Sequence, residues 1–182
     1  MAKPKPEKKP AVAPGRRSRV PPMTDDELHT YSIDHLYYEL EMLFFMREWL
    51  VSPNAAEREL IINNALIEAF LIHARSLTAF LHYPPNPKYP HDVTAEHYVA
   101  DVEEWRRARG PMPELLQDVT KRTGQEIAHL TTKRHPAGSA KKAWSPQEIT
   151  LALTPRLKAF VDHVPPPRID WRFRVFLNEP PR

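Results

Sequence analysis

The sequence contains no cysteine. Disulfides, zinc–thiolate centres, iron–sulfur clusters and a cysteine nucleophile are thereby excluded, and a cytoplasmic location is the expectation. Glycine is scarce, with four residues in 182. The patterns GxxxxGKS/T, GxGxxG and GxSxG do not occur, so neither a phosphate-cradling loop nor a nucleophile elbow is expected, and no cofactor is expected. No uninterrupted apolar run approaches the ~18 residues that a membrane span needs. Residues 1–22 also lack the apolar stretch of a secretory signal. What these absences leave as chemical tools are histidine, glutamate and arginine.

Proline is plentiful, at 21 residues, and lysine plus arginine outnumber the acids by 26 to 23. The excess is not evenly spread. Residues 1–22 carry Lys3, Lys5, Lys8, Lys9, Arg16, Arg17 and Arg19 against Glu7, a net +6. Residues 164–182 add +2, which leaves −5 for the body of the chain. The first segment is a Lys/Pro/Ala stretch with almost no large apolar side chain. It has too little to bury to offset the entropy of ordering, so it is expected to be a disordered basic arm. Attraction to RNA or DNA phosphates, if any, is assigned first to this arm, through Lys8, Lys9, Arg16 and Arg17.

From residue 23 the pattern is helical. Thr24 precedes Asp25-Asp26-Glu27, a cap followed by an acidic first turn. Leu28, Leu36, Leu40, Leu43 and Leu50 then recur at helical spacing up to Pro53. Asn54 is expected to cap a second helix that runs to His82. The segment 83–90 holds four prolines and reads as a loop. Thr94 is expected to start a third helix reaching Arg107, and Glu114 a fourth reaching Lys133. Ser145-Pro146-Gln147-Glu148 has a cap, a first-turn proline and a capping-box glutamate, and opens a fifth helix to about His163. Residues 171–177 alternate briefly and read as a lone strand or an extended clip. The expected fold is all-α, a bundle of four to five antiparallel helices with short connections. The expected division is an arm over 1–22, a bundle over 23–164 and a Pro/Arg/aromatic extension over 165–182.

Two helices carry polar residues at interior spacings. The second holds Glu68, His73 and Arg75, and the fourth holds Glu126 and His129, with Arg134 beyond. Side-by-side packing of these helices brings the six together, as a general acid–base or phosphate-holding cluster or as a buried polar network joining the helices. Glu126-x-x-His129 has the spacing of half a di-iron site. No second copy of that pattern exists, so no metal is expected. His29, His35, His91 and His97 read as surface or capping residues. In the C-terminal segment, Arg168, Arg172 and Arg174 interleave with Trp171, Phe173 and Phe176. That pattern suits either base stacking or a strap whose aromatics bury while its arginines face water.

Arg75 and His82 are separated by six residues, and this Arg-x(4–6)-His pattern resembles the motif of HEPN-type ribonucleases. The resemblance implies metal-independent RNA cleavage, with His82 handling a proton, Arg75 meeting the phosphate, and His73 or His129 as further candidates. The alternative at these positions is structural: Arg75 pairs with an acid, and His82 closes its helix with a charge that suits the dipole. Residues 64–80, 126–134 and the helix through Trp144, Ile149 and Phe160 also resemble an uncharacterised family of small helical bacterial proteins, itself loosely HEPN-like. That family implies a helical module associated with nucleic acid or with other proteins. A homodimer, with the polar cluster as internal glue, is the further alternative.

Overall fold

Thr24 opens the first helix as a cap. Its hydroxyl accepts the Glu27 amide at 3.2 Å, and the Glu27 carboxylate accepts the Thr24 amide at 2.7 Å, a reciprocal capping box. In the computed structural model, which describes residues 22–128, 132 and 143–178, this helix is α1 (Asp25–Tyr31). A π-helical turn, Ser32–Leu36, carries it into α2 (Tyr37–Val51). The chain then makes a 3-10 turn, Pro53–Glu57, before α3 (Leu60–His82). Asn54 is therefore not the cap of the second helix. Arg58 reorganises the junction instead. Its guanidinium donates to the Trp49 carbonyl, to Ser52 Oγ at 3.1 Å and to Asn63 Oδ1 at 3.0 Å, which closes the end of α2 and sets the start of α3.

The expected third helix is two. After α4 (Ala95–Tyr98), Val99 turns extended and Asp101 caps α5 (Val102–Arg109), accepting the Glu104 amide at 2.9 Å. The break has a long-range cause. Arg168 donates to the Tyr98 and Val99 carbonyls at 3.0 and 3.3 Å, so two acceptors that a continuous helix would use internally are taken by another segment. Gly110 ends α5 at φ +65°, a left-handed conformation that a side chain resists.

The fourth helix divides into α6 (Glu114–Arg122) and a π-helical segment, Thr123–Ala128. Ser145 caps α7 (Pro146–His163) by accepting the Glu148 amide at 3.3 Å. Pro155 sits inside α7 without ending it. Around it, Thr154 Oγ1 donates to the Thr150 carbonyl at 2.8 Å and Arg156 to the Ala152 carbonyl at 2.9 Å, so side chains serve carbonyls on that turn.

The brief alternation at 171–177 is not a strand. It forms α8 (Arg172–Asn178), started by Asp170 accepting the Arg172 amide at 2.9 Å. Phe173 and Leu177 lie four residues apart and are both buried, which is the helical reading of the same letters. Trp171, expected to bury, is exposed. No strand occurs among the described residues, only an isolated antiparallel bridge between Asn86 and Tyr89.

The core confirms the all-α expectation. Leu40, Leu43 and Phe44 of α2 meet Phe70, Leu71, Leu77 and Leu81 of α3 and Leu153, Leu157 and Phe160 of α7. The rings of Phe80, Tyr98, Trp105 and Phe160 pack edge to face at the α3–α5–α7 junction, with centroids 5.0–5.8 Å apart. Ile169, Phe173 and Leu177 belong to this same core, so residues 165–178 are part of the bundle and not an appendage to it. Their arginines also do structural work. Arg174 donates to the Val161 and Val164 carbonyls at the end of α7, at 3.0 and 3.4 Å. Arg172 pairs with Asp170 at 2.8 Å and stands over the Tyr37 ring.

Candidate functional site: an open groove beside Arg75

The outer side of α3 changes character along its length. Past Arg75, the Pro-rich loop 83–94 folds back over the helix and faces the end of α1 and the π-helical turn. Between them lies an open groove of about 920 Å3. Its α3 wall carries Arg75, Ser76 and Ala79. Its opposite wall carries Tyr31, His35 and Glu39, and its loop wall carries Tyr83, Tyr89, His91 and Asp92. The π-helical turn matters here because it changes the phase of the helix between Tyr31 and Glu39. It is pinned from behind: Ser32 Oγ donates to the His29 carbonyl at 2.7 Å and accepts the Asp170 amide at 3.0 Å, with Ser32 fully buried.

The electrostatics are two-sided. Arg75 is exposed and has no ion pair or hydrogen bond among the described residues. The acid expected to pair with it is therefore not beside it there. On the far wall, burial and the carboxylates of Glu39 and Asp92 push the Tyr31 phenol above its ordinary range, so it stays protonated. Near the loop tip, Lys88 stands over the Tyr89 ring at 5.4 Å. A groove lined by a guanidinium with no partner among the described residues, by tyrosine rings and by carboxylates can bind a phosphate, stack a planar group and accept from an amine.

The other candidate residues divide sharply. His73 is buried, and its Nδ1–H donates to Glu39 Oε2 at 2.8 Å, with Tyr38 edge-on to the ring. It is a polar tie between α2 and α3. His82 is buried at the other side of the α3 terminus and does not line the groove. Its Nδ1 accepts from Arg109 at 2.7 Å. Burial, with the charges of Arg109 and Arg156, pushes its pKa down to about 4, so it is neutral at pH 7 and carries no charge for the helix dipole. Arg75 and His82 thus share a sequence pattern without sharing a site. Glu126 is taken by Arg122 of its own segment, at 2.9 and 3.2 Å, while that guanidinium stacks on Trp144 at 3.7 Å. Glu68 is exposed on the outer face of α3. The expected convergence of Glu68, His73, Arg75 and Glu126 does not form. His73 is tied to Glu39 of α2 and Glu126 to Arg122, while Glu68 and Arg75 are exposed. His129 and Arg134 lie outside the described residues, as do Lys8, Lys9, Arg16 and Arg17 of the arm.

His35 and His91 are exposed, in keeping with their surface reading, and they also line the groove, which the sequence did not indicate. The four prolines of 83–90 were the available signal, because a stiff, turning loop after a helix is what builds a wall. His97 is a capping residue as expected, its Nδ1 accepting the Thr94 amide at 3.0 Å. No group of three or more metal-ligating side chains occurs among the described residues. No protein-family model, curated protein or solved structure matches the chain.

Proposed function

We propose that the protein is a nucleic-acid-associated helical module that holds a single strand in the groove beside Arg75. The observation that carries this reading is Arg75 itself, a guanidinium without a partner among the described residues that lines a groove shared with Tyr31, Tyr83 and Tyr89. A splayed single strand needs those three things together: a cation for a phosphate, aromatic faces for bases, and acceptors for exocyclic amines. Tyr83 and Tyr89 supply the faces, and Asp92 an acceptor. The net +6 of residues 1–22 adds a sequence-independent attraction that enters the chain just ahead of α1, the helix whose last residue lines the groove.

Fluorescence anisotropy of labelled single-stranded RNA and DNA, titrated against salt, tests this. The full chain should bind with an affinity that falls steeply as salt rises. A chain starting at residue 23 should bind with a shallower salt slope. Arg75→Ala should weaken binding about tenfold in either form, the size of a charged hydrogen bond to phosphate. Equally weak binding by all four proteins at low salt would sink the reading.

A further inference from the structure

Where the end of α3 meets α5 and α7, the fold gathers donors without acceptors. His82 is buried there, and its Nδ1 accepts from Arg109 of α5 at 2.7 Å, which leaves the proton of the neutral ring on Nε2. That Nε2 is buried without a partner, and so are Arg109 Nε, Arg156 Nε and the Trp105 indole nitrogen. All of these are donors. The two guanidinium groups come from different helices to one place. Arg156 of α7 reaches the Pro111 carbonyl at 3.5 Å, two residues past Arg109, and the charges of both act on the His82 ring. Neither has a carboxylate partner among the described residues. The acid that acts on Arg109, Glu96, is already forked by Arg106 at 2.8 and 2.9 Å. Buried donors are almost always satisfied in native folds, and like charges brought together need a counter-charge.

We propose that Arg109 and Arg156 form a phosphate site, in which one phosphate group bridges the two guanidinium groups on their solvent side, beside the His82 imidazole. Both side chains are half-buried, so solvent reaches the pair while the protein behind it strengthens the attraction. A guanidinium fork matches phosphate oxygens in geometry as well as in charge. A phosphate dianion also balances both cations, where a single carboxylate would leave one of them unpaired. The unpartnered N–H groups of His82, Trp105 and the two arginines add positive potential at the same junction. The site is separate from the groove, which Arg75 lines and which His82, Arg109 and Arg156 do not. Its ligand is a phosphate group, whether free or carried by a nucleic-acid backbone.

Calorimetric titration of the full chain with inorganic phosphate, at an ionic strength held constant with sodium chloride, is the direct test. A Kd of about 1 mM or tighter is expected, the scale of two charged hydrogen bonds. Arg109→Gln and Arg156→Gln should each weaken binding about tenfold, with helical circular dichroism checking that each variant is folded, and Arg75→Ala should leave it unchanged. A second measurement needs no variant. In the wild type at pH 7, inorganic phosphate should shift the Nε–H proton resonances of Arg109 and Arg156. Single-stranded RNA then separates the two sources of the group. RNA that competes with inorganic phosphate for these resonances supports the site with a backbone phosphate in it, and RNA that binds alongside supports it with a free one. A wild-type chain that gives neither heat nor a resonance shift at about 10 mM phosphate overturns the proposal. So does phosphate binding that Arg75→Ala abolishes and the two glutamine variants retain.

Discussion

Burial and two nearby guanidinium groups, Arg109 and Arg156, push the His82 imidazole from its ordinary 6.5 down to about 4. The unfolded chain therefore takes up this proton as pH falls below about 6.5, while the native state resists it until about 4. Stability contributed by the neutral imidazole is fully present above about 6.5 and is lost progressively as pH drops toward 4, at about 1.4 kcal/mol for each unit of displacement. His82→Gln removes the proton site while keeping a side chain that accepts from Arg109. Urea denaturation at several values between about pH 4 and pH 7 should then show a shallower acid loss in the variant than in the wild type. Parallel curves would assign that loss to other groups. The same residue shows how a sequence pattern misleads at this scale. Arg75 and His82 are two helical turns apart on one helix, but different elements stand beside them. One meets solvent and a proline-rich loop, and the other meets α5 and α7. Periodicity along a helix carries no information about where its neighbours stop.

At the scale of elements, the starts that depend on adjacent residues were legible and those that depend on distant ones were not. Thr24 with Glu27, and Ser145 with Glu148, satisfy orphan amides within one turn, so four letters suffice to find them. The break between α4 and α5 is made by Arg168, which lies 70 and 69 residues from the carbonyls it takes and also pairs with Asp25 at 2.7 Å. The local letters carry only the Asp101 cap that starts α5. Arg168 thus ties the start of α1 to the α4–α5 junction. Its replacement by alanine strips two carbonyls and a carboxylate of one donor group, and should cost about 1.5–3 kcal/mol in urea denaturation. Arg168→Lys should recover only part of this, because an ammonium does not reproduce the fork that reaches all three acceptors. A loss below about 0.5 kcal/mol, the scale of an ordinary surface change, would remove Arg168 from the joint. The candidate site followed the same rule. The groove is assembled by a π-helical turn, a returning loop and one helix, and only the loop had a sequence signature.

For the whole molecule, the question is where the domain ends. Proline at 165–167 and the basic, aromatic letters that follow look like a boundary, and a chain stopped at Val164 looks complete by its helix count. The core disagrees. Ile169, Phe173 and Leu177 are as buried as the residues of α2 and α3, and the Phe173 and Phe176 rings pack on Tyr37 at 5.4 and 5.9 Å. The π-helical turn behind the groove is held by the Asp170 amide, so the last segment supports the site as well as the core. A chain ending at residue 164 should therefore lose cooperative unfolding, since it exposes the Tyr37–Phe44 surface and frees the Ser32 hydroxyl. Phe173→Ala provides the measurable form of the same argument. It should lower stability by about 3–5 kcal/mol with the m-value unchanged, the cost of emptying a fully buried aromatic position. If the extension were only a strap, Phe173→Ala would cost less than about 1 kcal/mol. The shortened chain would also unfold in one transition near the wild-type midpoint. Because Ser32 links that segment to Tyr31 and His35, the shortened chain should also bind single-stranded RNA more weakly than Phe173→Ala does, even where both remain folded.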